Sequence, residues 1–97
     1  MSSRKFKVIF SPSAQKEIES LEVDAALQLA KDVKAYLETS PLPFGKTRIK
    51  KLTGFKQPLY RLRSGEYRAY YRIVSGEVII LAVTNKKDSA KILKKYQ

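Results

Sequence analysis

The chain has no cysteine, no histidine and no tryptophan among its 97 residues, and only four glycines and four prolines. Without cysteine there can be no disulfide framework and no thiolate chemistry. Without histidine the usual zinc sites cannot be assembled, and the side chain that most often moves protons near neutral pH is missing. No apolar run is long enough to cross a bilayer. The N-terminal MSSRKFKVIF lacks the apolar core and small-residue cleavage site of a secretory signal. These absences lead to the expectation of a cytoplasmic protein with no membrane association, no metal and no cofactor.

Acidic residues are also scarce, and unevenly so. Residues 1–40 hold six Lys/Arg and six Asp/Glu, whereas residues 41–97 hold fourteen basic and three acidic residues, which accounts for the whole net charge of +11. Confining the excess to one half favours a site for a polyanion over a generally solvated basic surface. No basic amphipathic helix with a bulky apolar face stands out, which argues against a membrane surface as that polyanion. Hydrophobic residues make up 43% of the chain and charged ones 30%, the balance of a folded globular protein. The length is that of a single domain, residues 1–97, with one modest core.

The stretch LYRLRSGEYRAYYRIVSGEVIILAVT, Leu59 to Thr84, organises the rest. Short β-branched and aromatic runs separated by glycine-containing turns predict three antiparallel strands: Leu59–Arg63, Tyr67–Val74 and Glu77–Thr84. Period-two alternation places Leu59, Arg61 and Arg63 on one face with Arg68, Tyr70, Arg72 and Val74. Tyr60, Leu62, Tyr67, Ala69, Tyr71 and Ile73 take the other face. VIILAV is apolar on both sides, as expected of a strand covered twice. One face is therefore apolar, and the other carries arginines interleaved with tyrosine.

Ahead of this, Lys5–Phe10 reads as a first strand. Ser11-Pro12 ends it and opens a helix, with Ser11 at the N-cap and Pro12 at the first helical position. Ala14, Ile18 and Leu21 recur at helical spacing. A second helix runs to about Glu38 with Asp24 as its cap, and Ala26, Ala30, Val33 and Leu37 line its stripe. Thr39–Gly45 is a loop, since two prolines and a glycine break both regular structures. Lys46–Gly54 is strongly basic, either a polyanion contact or merely a charged connector, in which Ile49 and Leu52 reach the core while Lys46, Arg48, Lys50 and Lys51 face water. After Thr84, Asp88 or Ser89 caps a short helix holding Ile92 and Leu93. The expected fold class is α+β, with a helical hairpin packed on one face of a small twisted antiparallel sheet.

FSPSAQKEIESL near the start, KLTG at Lys51–Gly54 and YRLRSGEYRAYYRI at Tyr60–Ile73, in this order of elements, resemble the RelE/ParE toxin superfamily of bacterial and archaeal toxin–antitoxin pairs. The RelE-like branch is the favoured match. The resemblance implies a toxin of a type II pair that cuts mRNA in the ribosomal A site, a RelB-like antitoxin that neutralises it, and a toxin–antitoxin hetero-oligomer. It implies Arg61, Arg63, Arg68 and Lys86 as catalytic residues. Lys46, Arg48, Lys50, Lys51, Tyr70 and Lys87 are expected to contact RNA, Tyr70 by stacking on a base. Many nuclease members carry an arginine where Lys86 stands and a tyrosine a few residues on, where this chain has Ser89-Ala90. That departure keeps open a ParE-like gyrase inhibitor, acting by binding, and a non-catalytic nucleic-acid-binding module.

Cleaving RNA without a metal requires deprotonating a 2′-hydroxyl, stabilising a phosphorane and protonating the leaving 5′-oxygen. With no histidine, the base is a lysine, a tyrosine or a carboxylate. Lysine serves only where neighbouring cations disfavour its charged form. Arginine hardly gives up a proton, so Arg68 suits the scissile phosphate as a clamp. Orientation by the ribosome would supply several kcal/mol of the rate.

Overall fold

The computed structural model describes residues 5–43 and 48–96. Strand β1 (Lys7–Phe10) leads into helices α1 (Pro12–Glu19) and α2 (Val23–Asp32), and α2 continues as a π-helical turn, Val33–Leu37. Strands β2 (Ile49–Leu52), β3 (Leu59–Ser64), β4 (Tyr67–Val74) and β5 (Glu77–Asn85) follow, then a 3-10 turn (Lys86–Asp88) and helix α3 (Ser89–Lys94). The α+β class stands. The sheet has five strands in the order β1-β5-β4-β3-β2.

Two features of the sheet differ from expectation. It is mixed, because β1 lies parallel to β5, from Lys7 opposite Glu77 to Phe10 opposite Ile80. Alternation reports which side a residue faces but says nothing of strand direction. The basic segment, in which no strand was expected, contains β2, which pairs antiparallel with β3 from Ile49 opposite Leu62 to Leu52 opposite Leu59. Its lysines hid the strand: charged side chains at an edge are a normal way to protect open backbone groups.

Residues Ala14, Ile18, Leu29, Val33 and Leu37 from the helices pack on Ile49, Leu62, Ala69, Tyr71, Val78, Ile80 and Val83 of the sheet. Each fully buried leucine here contributes about 1.5–3 kcal/mol through removal from water. Tyr60 and Tyr71 stack in this layer with ring centroids 5.6 Å apart and planes at 21°. The Tyr71 hydroxyl donates to the Pro41 carbonyl at 2.6 Å and pins the loop after α2. The start of α1 is as the sequence predicts, with Ser11 Oγ accepting from the Ala14 N–H at 3.1 Å and Pro12 in the first turn. Helix α2 begins earlier than predicted, with Glu22 rather than Asp24 at its N-cap.

The opposite face is not open along its length. Leu59, Tyr70 and Ala82 form a second core there, closed by Leu52, Phe55, Ile92, Leu93 and Tyr96. Helix α3 thus covers the middle of the arginine face. A β-bulge between Tyr70 and Tyr71 pairs Tyr70 with Ala82 and Tyr71 with Ile80, leaving Leu81 without a partner in the β4 register. The Leu81 carbonyl accepts from Ser11 Oγ at 3.1 Å and from the Tyr96 hydroxyl at 3.4 Å. One irregularity in β5 therefore receives both the start of α1 and the end of the chain.

Candidate nucleic-acid interface

The β3–β4 hairpin turns on Gly65-Glu66, with Ser64 opposite Tyr67 as its last pair. Gly65 has φ +58°, the left-handed value that a two-residue turn of this kind requires and a β-carbon disfavours. The tight turn sets Arg63 directly opposite Arg68, with Arg61 opposite Tyr70. On the next strand, Lys50 lies opposite Arg61. The end of β5 arrives at the same turn: Tyr67 pairs with Asn85, and the Lys86 N–H donates to the Glu66 carbonyl at 3.0 Å. Arg61, Arg63 and Arg68 thus share one face of β3 and β4 toward the turn, and the Lys86 backbone is tied to the same turn.

Like charges directly opposite on neighbouring strands repel. Arg68 is stabilised locally by other groups. Its side chain is only 9% exposed, and its Nη1 donates to the Gly65 and Tyr67 carbonyls at 3.1 and 3.0 Å. Burial, followed by the charge of Arg61 and then Arg63, lowers its pKa below the ordinary guanidinium value, against opposing contributions from Tyr70 and Glu66. The group stays charged at any physiological pH. Arg63, in contrast, is exposed and Arg61 half-buried. Arg61 Nε and Arg72 Nε are buried and have no hydrogen-bond partner among the described residues. A buried donor without an acceptor costs about 1–3 kcal/mol.

Several expected contacts fall elsewhere. Tyr70 is 1% exposed under α3, so it cannot stack on a base, and its place on the arginine side gives it to the second core instead. Arg48 is turned to the helical side, where its Nη1 approaches Asp32 Oδ2 at 3.4 Å and its guanidinium lies 5.5 Å from the centroid of Tyr36. Lys51 is opposite Tyr60, so the strand register directs it to the helical side while Lys50 alone shares the face with the arginines. Lys87 is exposed beside Lys86 in the 3-10 turn. Lys46 lies outside the described residues. The last helix is led in by Asn85, whose side chain accepts from the Asp88 N–H at 2.9 Å, rather than by a side-chain cap from Asp88 or Ser89.

Two partners were not anticipated. Arg72 lies with its guanidinium 5.9 Å from the centroid of Tyr96, a cation–π contact that ties the end of the chain to the far end of the arginine face. Alternation already placed Arg72 on that face; the aromatic partner, distant in sequence, could not be read. Asp32 is the other, a buried carboxylate beneath the hairpin on the helical side. Among the described residues, no three carboxylate, imidazole or thiol groups gather in a way that would hold a metal ion. No helix among them is long and apolar enough to cross a membrane.

Comparisons with known proteins agree on the architecture. A family model described as the ParE toxin of type II toxin–antitoxin system, parDE, matches residues 8–90. Among curated proteins, none matches the sequence. The RelBE2 toxin–antitoxin complex from Mycobacterium tuberculosis superposes with TM-score 0.74 at 24% identity, over 90% of this chain and 98% of that one. The archaeal RelE–RelB complex from Pyrococcus horikoshii gives 0.69 at 26% identity, covering 84% of this chain and 94% of that one. A mutant of the toxin RelE from E. coli in the free state gives 0.71 at 24% identity, over 95% and 94% of the two chains.

Proposed function

The chain belongs to the ParE toxin family of type II toxin–antitoxin systems, and from its likeness in fold to RelE toxins we propose that it arrests translation as a metal-independent endoribonuclease acting on mRNA in the ribosomal A site. The observation that supports the reading is the shared face of Arg61, Arg63 and Arg68, with Arg63 directly opposite Arg68 and the Lys86 backbone bonded to the same turn. Such a cluster suits a phosphate, whose charge would offset the repulsion between the guanidiniums. Arg61 and Arg63 would stabilise the charge that develops on the phosphorane. Arg68, half committed to the turn carbonyls, would fix the other two in place and add to the field. Lys86 or Lys87 would carry the proton between the 2′-hydroxyl and the leaving 5′-oxygen, yielding a cyclic phosphate and a free 5′-hydroxyl.

A RelB-like antitoxin is the expected partner, since two of the similar structures are complexes of a RelE toxin with its antitoxin. An acidic antitoxin segment would find in the cationic cluster a complementary surface, with fast and salt-sensitive association. The second reading, a gyrase inhibitor that acts by binding, is favoured by the ParE description of the matching family and by the burial of Tyr70, which removes one aromatic from the RNA reading. Purified protein added to programmed ribosomes and to a gyrase supercoiling reaction separates the two. Cleaved message, lost in Arg61→Ala and Arg63→Ala, supports the nuclease. Intact message at high protein concentration with inhibited supercoiling sinks it in favour of the gyrase reading.

A further inference from the structure

The cationic cluster faces one side of the sheet, and what holds it lies on the other. Asp32 is 7% exposed at the end of α2. Its Oδ2 accepts from Ser64 Oγ at 2.6 Å and lies 3.4 Å from Arg48 Nη1, while Oδ1 accepts from Gln28 Nε2 at 3.1 Å. A buried carboxylate survives only with such partners. Ser64 follows Arg63 and forms the last β3–β4 pair before the turn, with the Arg63–Arg68 pair next to it. The Arg63 N–H also donates to the Arg48 carbonyl at 3.0 Å, so the residue that meets Asp32 on one side also pairs with β3 through its backbone.

We propose that Asp32, acting through Ser64, is a positioning residue for the polyanion site: it locks the end of β3 to helix α2 and so holds Arg61 and Arg63 in register against Arg68 despite their mutual repulsion. This rests on the reading of the cluster as a phosphate site. Asp32 reaches the hairpin through the Ser64 hydroxyl on the helical side of the sheet, so it works by fixing backbone. The strand-end lock is short-range and cooperative. Ser64 has one hydroxyl rotor and a single acceptor at 2.6 Å, and a β-strand residue cannot move without carrying its neighbours. Loosening it lets two opposed guanidiniums splay, and a phosphate then meets one cation at a time.

The test uses the full chain and a fluorescent single-stranded RNA of about a dozen nucleotides, titrated at several salt concentrations. Ser64→Ala is expected to bind about ten-fold more weakly at low salt, with the slope of log affinity against log salt shallower by about 0.7, the signature of one lost phosphate contact on a single strand. Ser64→Thr keeps the hydroxyl and is expected to keep both values. A merely structural role would lower the melting temperature and leave the slope alone wherever the protein is folded. Ser64→Ala that is folded and retains the wild-type slope therefore overturns the proposal. If Ser64→Ala does not fold, Ser64→Cys, with its weaker donor, is read by the same two criteria. Arg63→Ala runs alongside. Should it also bind like wild type, the phosphate site itself is wrong; should it alone lose affinity, only the role of Asp32 and Ser64 falls.

Discussion

Salt offers the sharpest measure of the cluster. Under the proposed reading, Lys50, Arg61, Arg63 and Arg68 of one sheet face act on a polyanion together with Lys86 and Lys87 of the adjoining turn. If all six meet phosphates of a single strand, log affinity falls against log salt with a slope of about −4, at roughly 0.7 per phosphate neutralised. Raising salt from about 50 to 200 mM then weakens binding by a few hundred-fold. The structure makes a finer statement about neighbours in sequence. Lys50 faces the arginines and Lys51 faces the helices, so Lys50→Ala should flatten the slope by about 0.7 while Lys51→Ala leaves it unchanged. Arg48→Ala should behave like Lys51→Ala, because Arg48 is engaged with Asp32 and Tyr36. Fluorescence anisotropy with a labelled RNA over a salt series reads all three. Equal effects of Lys50→Ala and Lys51→Ala, or a wild-type slope shallower than about −2, would refute the geometry and leave only a diffuse basic surface.

Tyr71→Phe should cost about 1–3 kcal/mol near neutral pH in urea denaturation, because it strands the buried Pro41 carbonyl while keeping the ring. Burial, and secondarily Tyr60, pushes the Tyr71 pKa above its ordinary value, so its contribution is complete below the unfolded value and is lost as pH rises above about 10, at roughly 1.4 kcal/mol per pH unit. The gap between wild type and Tyr71→Phe should accordingly narrow in alkali, and a gap that stays constant to about pH 11 contradicts the burial argument. Tyr70→Phe should leave RNA affinity unchanged, whereas Tyr70→Ala should cost about 3–5 kcal/mol of stability by emptying the second core; a large affinity loss in the Phe variant would restore Tyr70 to the interface. Ser75 sits at φ +49° in the two-residue turn with Gly76, so Ser75→Asn should stabilise by a few tenths of a kcal/mol, measured as a raised melting temperature.

Much of the architecture could be read without coordinates. The strands from Leu59 to Thr84 and the faces they present follow from alternation and glycine-marked turns, and these are local properties of neighbouring residues. The opening of α1 at Ser11-Pro12 follows from the orphan N–H groups that any helix start must satisfy. The arginine side of the sheet was legible for the same reason, and with it the membership of Arg61, Arg63 and Arg68 in one face. Register and covering were not legible. Whether β1 runs parallel or antiparallel to β5, whether Lys50 or Lys51 meets the arginines, and which chain segment lies over Tyr70 are set by pairings between residues far apart in the sequence. A basic strand such as β2 reads as a charged linker until its hydrogen-bonding neighbour is known.

The amino-acid order by itself therefore determined the α+β class, the uneven charge and the side on which the guanidiniums stand, because each depends on short-range periodicity and composition. Only the tertiary structure decided where the neighbouring side chains go, because α3 removes Tyr70 from solvent, Asp32 draws Arg48 to the other layer, and the end of β5 brings the Lys86 backbone to the β3–β4 turn. Long-range packing chooses among side chains that local pattern leaves equivalent, since burial and pairing are properties of what folds against a residue and not of the residue alone.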